Sequence, residues 1–435
     1  MQFVTIFRTL RGRMRLMRRL IGVPFLFASL YPLSALSTPL TLEQAWEQAE
    51  QTNPALRAAQ ANLAAAQGEL TDARALLWNN PQISTEIRSR NVSQTGQSID
   101  SKDGVSGLSQ TLEIAGQQGI RQRAAEKNLA AIQENIAETK RQVHADVEQR
   151  FVQVLSLQLR IRTEEAMLKL IEDAATAVRK RVEAGEDSRL DGNLAKVEAE
   201  RARNQVSILK EQLVQARADL FALLQMAPDQ KPEVTGPLDA DLPSYTLEDL
   251  LANAAHRPLL SALDYREGGA RDRVALERAS IYPDVTLGLR YGRELGVDNK
   301  VATLSVSLPI PLFRRNATGI GRAETDLTQT EIEKQTASRD VRAQVSALWQ
   351  RWVGLKTRVK RLSESVLPSL EENQHLSSIS FRAGEIGLLQ LLLVNRQVLD
   401  GQRDLLDART ELRLTQVALE AAAGWQPARH ALNKN

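Results

Sequence analysis

The chain has 435 residues, no cysteine, 4% aromatic residues and a formal net charge of +3. The length allows two or three ordinary domains. The missing cysteine excludes disulfides, thiolate metal sites, catalytic thiols and an acylated N-terminal cysteine. Abundant Ala, Leu, Glu, Gln and Arg suit long helices packed through small residues.

Residues 1–37 read as a secretory signal. Arg8, Arg11, Arg13, Arg15, Arg18 and Arg19 precede the apolar run Leu20–Leu30, and Ala35-Leu36-Ser37 offers a cleavage site. Met14 and Met17 are alternative starts within the basic stretch. The run of about 11 residues is too short to span a bilayer as a helix. Without residues 1–37 the charge falls by six, from +3 to −3, which removes the main support for a nucleic-acid partner.

Thr41 caps a first helix expected over 42–78, with Asn53-Pro54 inside it and Pro81 ending it. Strands follow over about 81–114, carrying Ile83, Thr85 and Ile87, then Val105, Leu108 and Leu112, around a polar loop at 91–104. A long helix is predicted over 117–183, about 100 Å at 1.5 Å per residue. Gly185 breaks it, and a helix over 188–226 completes a hairpin. Residues 227–245, with Pro228, Pro232, Pro237 and Pro243, form a linker expected to pack around the waist of the rods.

The same order then returns over 246–424. Thr246 precedes a helix over 246–280 that contains Arg257-Pro258, and Pro283 ends it. Val285, Leu287, Leu289 and Tyr291 alternate with Thr286, Gly288 and Arg290, and Ala302, Leu304, Val306 and Leu308 alternate with Thr303, Ser305 and Ser307. These strands occupy about 283–310 around a polar loop at 293–300. Helices over 317–381 and 386–424 flank Gly384, and 425–435 is a tail. The repeats are therefore 38–226 and 246–424, each a helix, a strand pair, a very long helix and a helix. Such duplication points to an elongated assembly.

Leu391, Val398, Leu405, Leu412 and Leu419 recur every seven residues, interleaved with Val394, Gly401, Ala408, Thr415 and Ala422. Ala199, Val206, Leu213 and Leu220 repeat that spacing in the first copy, with Ala195, Ala202, Leu209, Ala216 and Leu223 between them. A heptad seam with small residues on one row implies supercoiled helices in close approach. In each copy the two shorter helices, stacked end to end, match the length of the long one. The strands are of membrane length, about ten residues. Four strands cannot close a barrel, and open edges are too costly in lipid. The expected architecture is mainly α with membrane β: a trimer with a 12-stranded outer membrane β-barrel continued by a long periplasmic α-helical barrel. A periplasmic coiled-coil structural protein without a pore is the alternative of another class.

Thr41-Leu42-Glu43 with Asn53-Pro54, the segment Pro309-Ile310-Pro311-Leu312-Phe313 and the turns at Gly185 and Gly384 resemble the TolC-like outer membrane efflux proteins. Gln110-Thr111-Leu112-Glu113-Ile114-Ala115-Gly116 and Leu308–Phe313 are most similar to the CzcC-type branch that serves heavy-metal exporters. The resemblance implies a homotrimeric exit duct of a tripartite efflux system. It implies a periplasmic adaptor, an inner membrane pump of the resistance–nodulation–division class, and outer membrane lipid as partners. Divalent heavy-metal cations are the implied cargo; drugs or a secreted protein are the alternatives. Many relatives carry an acylated cysteine at the mature N-terminus, so this chain is expected to hold the membrane through its barrel.

No catalytic residue, cofactor or resident metal is expected. His144, His256, His375 and His430 lack ligand spacing, and Gly319-Ile320-Gly321 does not follow a dinucleotide pattern. Glu183, Gly185, Glu186, Asp187, Gly384 and Glu385 are candidates for the pore entrance or a docking surface, since a ring of carboxylates favours cations. Asp191 with Ser188 reads as a capping box rather than a rim residue. Arg179, Lys180, Arg181 and Arg382 are candidates for pairs that hold the entrance shut, a weak latch that a partner would open.

Overall fold

The structure, a computed structural model, describes residues 39–94, 97–227, 232–238, 243–294 and 299–425. The expected signal at 1–37 and all of the 425–435 tail beyond Trp425 lie outside the described residues. The first repeat holds α1 (Leu42–Thr52), α2 (Pro54–Ala73), β1 (Gln82–Gln94), β2 (Gln97–Leu112), α3 (Gln117–Glu183) and α4 (Arg189–Leu223). The second holds α5 (Leu247–Ala255), α6 (Pro258–Ala279), β3 (Val285–Glu294), β4 (Asn299–Ser307), α7 (Ala317–Arg361), α8 (Leu367–Ala383) and α9 (Leu388–Ala423).

Each expected first helix is in fact two. Asn53 adopts extended backbone, as residues before proline tend to, and its side chain accepts from the Ala55 and Leu56 amides to start α2. Arg257 holds the matching corner before Pro258. Pro81 and Pro283 do not terminate these helices directly: α2 stops at Ala73 and α6 at Ala279. Thr41 with Gln44 and Thr246 with Asp249 form capping boxes at the two starts.

The second long rod also differs from expectation. A π turn at Leu362–Val366 separates α7 from α8, just before Pro368. Proline lacks the amide that would close the regular ladder, and the wider turn accommodates it without ending the rod. The three segments, 45, 5 and 17 residues, together match the 67 residues of α3.

The helices form four columns. Near the sheet the order is α2, α3, α6, α7; farther away it is α4, α3, α9, α8. Two short helices thus stack beside each long rod. Leu391, Val398, Leu405, Leu412 and Leu419 are buried, as are Gly401, Ala408, Thr415 and Ala422 between them, while Val394 is half-buried. At the level of α1 and α5, two pseudo-equivalent cores gather, one around Val147, Phe151 and Leu220, the other around Tyr245, Trp352 and Leu419. The linker packs as expected over its described part. Val234 and Leu238 are buried, Leu40 pairs with Val234 in a parallel bridge, and Gly236 lies over Phe151 and Leu155.

The repeats are fastened by buried charge. Glu138 of α3 accepts from Arg141 and, at 2.6 Å, from Arg257 of the α5–α6 corner. Arg141 and Arg257 also donate to the carbonyls of Ala421 and Ala422 at the end of α9. Farther along the α3–α9 seam, Arg413 meets Glu148, Ser156 meets Thr410 at 2.8 Å, and Arg403 grips Glu164 at 2.6 and 2.8 Å. Burial alone would raise the Glu138 carboxyl, but the hydrogen bonds and charges of Arg141 and Arg257 outweigh it and hold the group down at about 2.

This fastening gives a sign for the effect of acid. Because Glu138 titrates lower in the folded chain than unfolded, its stabilisation is present above the ordinary carboxylate range and is lost as pH falls from about 4.5 towards 2. Glu138→Ala leaves two guanidinium groups buried without their acid and is expected to cost about 3–5 kcal/mol. Denaturant unfolding of both proteins across acidic pH checks this: the stability gap between them is expected to close as acid is added.

Candidate functional site

The four strands form one antiparallel meander in the order β1-β2-β3-β4. Pairing register sorts every described side chain to one of two faces. Ile83, Leu108, Leu289 and Leu304 stand in one row across all four strands. Leu287 with Val306 and Tyr291 with Ala302 extend the same face, and its large apolar side chains are exposed. The row on the other face is Ser84, Gly107, Arg290 and Thr303. Glu86 and Arg88 share that face and pair at 2.9 Å. A Cβ on Gly107 would lie 2.8 Å from the Arg290 Cγ, so glycine there lets the arginine lie flat along the polar wall. An apolar exterior with a polar interior is the pattern of a barrel in lipid around water.

The first hairpin is longer than its sequence implies. β1 and β2 pair from Gln82↔Ser109 out to Gln94↔Gln97, whereas β2 leaves β3 at Gly104↔Arg293. Most of the expected loop at 91–104 is therefore strand, extending beyond the second hairpin; residues 95–96 and 295–298 at the tips lie outside the described residues. Its residues are mostly polar and do not alternate with apolar ones in sequence, so it gives no period-two signal. β1 and β4 are the free edges, 13 and 9 residues long.

At the far end of the rods the structure brings the two glycine turns together. Val178, Ala195 and Leu388 form a small buried cluster with Val182, Phe381 and Leu392, so the tips of both repeats share one core. Gly185 and Gly384 take left-handed backbone, φ +80° and +78°, and reverse the chain after each rod. Arg181 pairs with Asp187 at 3.0 Å and with Glu186 at 3.8 Å, and its guanidinium lies 5.8 Å from the Phe381 ring centre. Glu183, Glu186 and Glu385 are exposed. The Ser188 hydroxyl accepts from the Asp191 amide at 3.1 Å, the capping role expected of that pair, while Gly387 starts α9 without a side-chain cap. Of the four basic candidates, Arg181 alone pairs with an acid among the described residues. Arg382 donates to the Ser378 carbonyl, and Arg179 and Lys180 face solvent.

The described residues include no group of three or more side chains that could hold a metal ion, and no helix long and apolar enough to cross a membrane. His144 stacks on Trp46 and contacts Glu50 at 2.8 Å.

The profile of the outer membrane efflux proteins matches residues 45–224 and 250–425, one match per repeat. The chain belongs to the outer membrane efflux protein family. It is 30% identical over 374 residues to the cobalt-zinc-cadmium resistance protein CzcC of Cupriavidus metallidurans, covering 85% of each chain. It is 24% identical over 298 residues to the pyoverdine export outer membrane protein OpmQ of Pseudomonas putida, covering 63% of this chain and 61% of that one. The outer membrane protein VceC of Vibrio cholerae superposes with a TM-score of 0.74 at 20% identity, covering 88% of this chain and 97% of the other. The efflux protein is thus an outer membrane channel subunit whose rods extend into the periplasm.

The two faces of its sheet can be told apart by one substitution made at neighbouring positions. Leu304→Lys places a charge in the lipid-facing row and is expected to cost about 2–4 kcal/mol of barrel stability. Ser305→Lys, one residue on and facing the interior, is expected to change it by less than about 1 kcal/mol. Urea unfolding from vesicles, followed by the loss of heat-modifiable mobility, reads both.

Proposed function

We propose that three copies of the efflux protein form one exit duct that carries divalent metal cations from the periplasm to the exterior. One observation carries the reading: a sheet that is apolar outside and polar inside has two unpaired edges and runs directly into rods of 67 residues, about 100 Å. Lipid does not tolerate unpaired edges, so β4 of one copy pairs with β1 of the next. Twelve strands then close, and the four helical columns of each copy continue the wall as a tunnel.

The likeness to the cobalt-zinc-cadmium resistance protein, even along both chains, favours metal cations as the cargo. The entrance turns agree with it. Repeated three times around the axis, Glu183, Glu186 and Glu385 form carboxylate rings that concentrate cations and repel anions. The surface around Gly185, Asp187 and Gly384 is the docking face for a periplasmic adaptor, which links the duct to a resistance–nodulation–division pump in the inner membrane. Arg179, Lys180 and Arg382 lie beside those acids on the rods and act as the latch that holds the entrance shut, while Arg181 ties its own turn. The likeness to a pyoverdine exporter supports a second reading, an organic chelator as cargo.

Deleting the gene is expected to lower tolerance of cobalt, zinc and cadmium severalfold, with wild-type protein restoring it. The combined change Glu183→Gln, Glu186→Gln and Glu385→Gln is expected to restore it only in part while leaving the trimer intact in detergent. Unchanged metal tolerance with a lost organic export would replace this reading by the second. A chain that purifies as a monomer without detergent would end both.

A further inference from the structure

At the base of the sheet, where strands meet helices, the chain exposes apolar side chains unevenly. The connector entering the β1 edge carries Leu76 and Trp78, and the one leaving the β4 edge carries Leu312 and Phe313. Leu76 is 93% exposed and Phe313 95%, the two highest values among the large apolar residues described. The most exposed large apolar residues of the two central connectors reach only 59% (Ile114) and 63% (Tyr282). Lipid or headgroup contact would act on all four connectors alike. The excess at the outer two tracks the side on which a neighbouring strand is missing.

The β1-side connector is also built as a rigid platform. The Arg121 guanidinium lies 3.8 Å from the centre of the Trp78 ring, and Glu113 holds that guanidinium at 2.6 and 3.0 Å. Gln110 donates to the Asn79 carbonyl at 2.6 Å, and Gln118 donates to those of Ala73 and Ala75, both at 2.7 Å. On the other side Asn316 takes left-handed backbone and donates to Glu277, fixing the point from which the Phe313 connector departs. A fixed aromatic shelf at one edge and an exposed aromatic knob at the other are complementary only between different copies. Within one chain the edges lie three strand spacings apart, about 14 Å.

We propose that Phe313 of each copy seats on the Leu76–Trp78 shelf of the next, forming a clasp below the point where β4 and the neighbouring β1 pair. The clasp rests on the shared-barrel reading and adds to it a residue-level contact outside the strands. It covers the apolar connectors at the barrel base and fixes the angle at which each subunit's rods leave the sheet. The occupant is a second copy of this chain, because continued strand pairing brings these two connectors alone to the same place.

The chain contains no cysteine, so engineered pairs report without background. Leu76→Cys with Phe313→Cys, oxidised in native outer membranes, is expected to give covalent dimers and trimers. Their Cα atoms must come within about 7 Å to bond, which excludes a link inside one chain. Leu76→Cys with Tyr282→Cys is expected to give none. Ile83→Cys combined in turn with Leu304→Cys, Val306→Cys and Leu308→Cys tests the strand closure separately. Strand cross-links without the connector cross-link would overturn the clasp and leave the shared barrel standing; absence of both would overturn both. In mild detergent, Phe313→Ala is expected to raise the monomer fraction about tenfold, as fits the loss of one buried aromatic contact at each interface, with Phe313→Leu restoring most of the trimer. A Phe313→Ala trimer as persistent as wild type would also overturn the clasp.

Discussion

Backbone amides and carbonyls set the terms of this structure. In the hydrocarbon layer a peptide group without a partner costs several kcal/mol, and no side chain on the same strand relieves a whole edge. β1 and β4 each present such an edge, and the face they share with β2 and β3 is apolar enough to place them in lipid. One chain therefore cannot be a finished object. The same requirement fixes parity: β1 places its odd-numbered residues in the apolar face and β4 its even-numbered ones, so only half of the conceivable registers keep the two faces unmixed across a subunit boundary.

The helices meet a different demand, since both of their surfaces face water in the finished tube. Rods wetted inside and out cannot rely on a thick hydrophobic core. The seams between columns compensate in two ways. Small residues on the α9 stripe, Gly401, Ala408 and Ala422, let helices approach closely. Between the repeats, charged and hydroxyl groups line the α3–α9 seam at intervals from Glu138 to Glu164. The seam is not balanced everywhere. Glu148 and Glu420 are both buried beside the single guanidinium of Arg413, and burial first, with Glu420 adding to it, pushes the Glu148 carboxyl up to about 7 in spite of that partner. A ladder of this kind specifies register more than it adds stability, because a slipped helix would leave several charges buried and unpaired.

Much of this was legible in the sequence, for reasons that differ by element. The duplication, the 117–183 rod and the heptad positions were visible because each repeats at a fixed period; the structure buries most of those heptad residues and half-buries Ala202, Leu213, Ala216, Leu223 and Val394. The split of the first helix was within reach, since Asn53-Pro54 carries both the cap and the proline; its reading as a single helix failed by letting the flanking pattern outweigh the corner. Pro368 likewise stood in plain view, but proline alone does not say whether a rod ends or widens into a π turn. The Glu138 network had no local signature. Glu138 and Arg141 look like an ordinary surface pair on a helix, and Arg257 lies 119 residues away. At the far tips of the rods, Gly185 and Gly384 marked the two turns in the sequence. The pairing of Arg181 within its own turn, and the shared core around Val178 and Leu388, depend on how the two tips meet, which neither repeat encodes by itself.

The duplication is exact in plan and unequal in detail, and the inequality is physically graded. At the corner before each proline, the first repeat uses Asn53 to cap its own helix, whereas the second uses Arg257 to reach the other repeat. At the far tips the order reverses. The first turn is tied by Ser188 to Asp191 and by Arg181 to its two acids; the second has Gly387 at the helix start, without a side-chain cap, and a π turn within the rod above it. Fewer local bonds must break to deform the second hairpin than the first. Three such chains side by side alternate a tied hairpin with a looser one at the far ends of their rods. The stretch from Leu362–Val366 to the start of α9 is therefore held by fewer local bonds than the facing parts of α3 and α4.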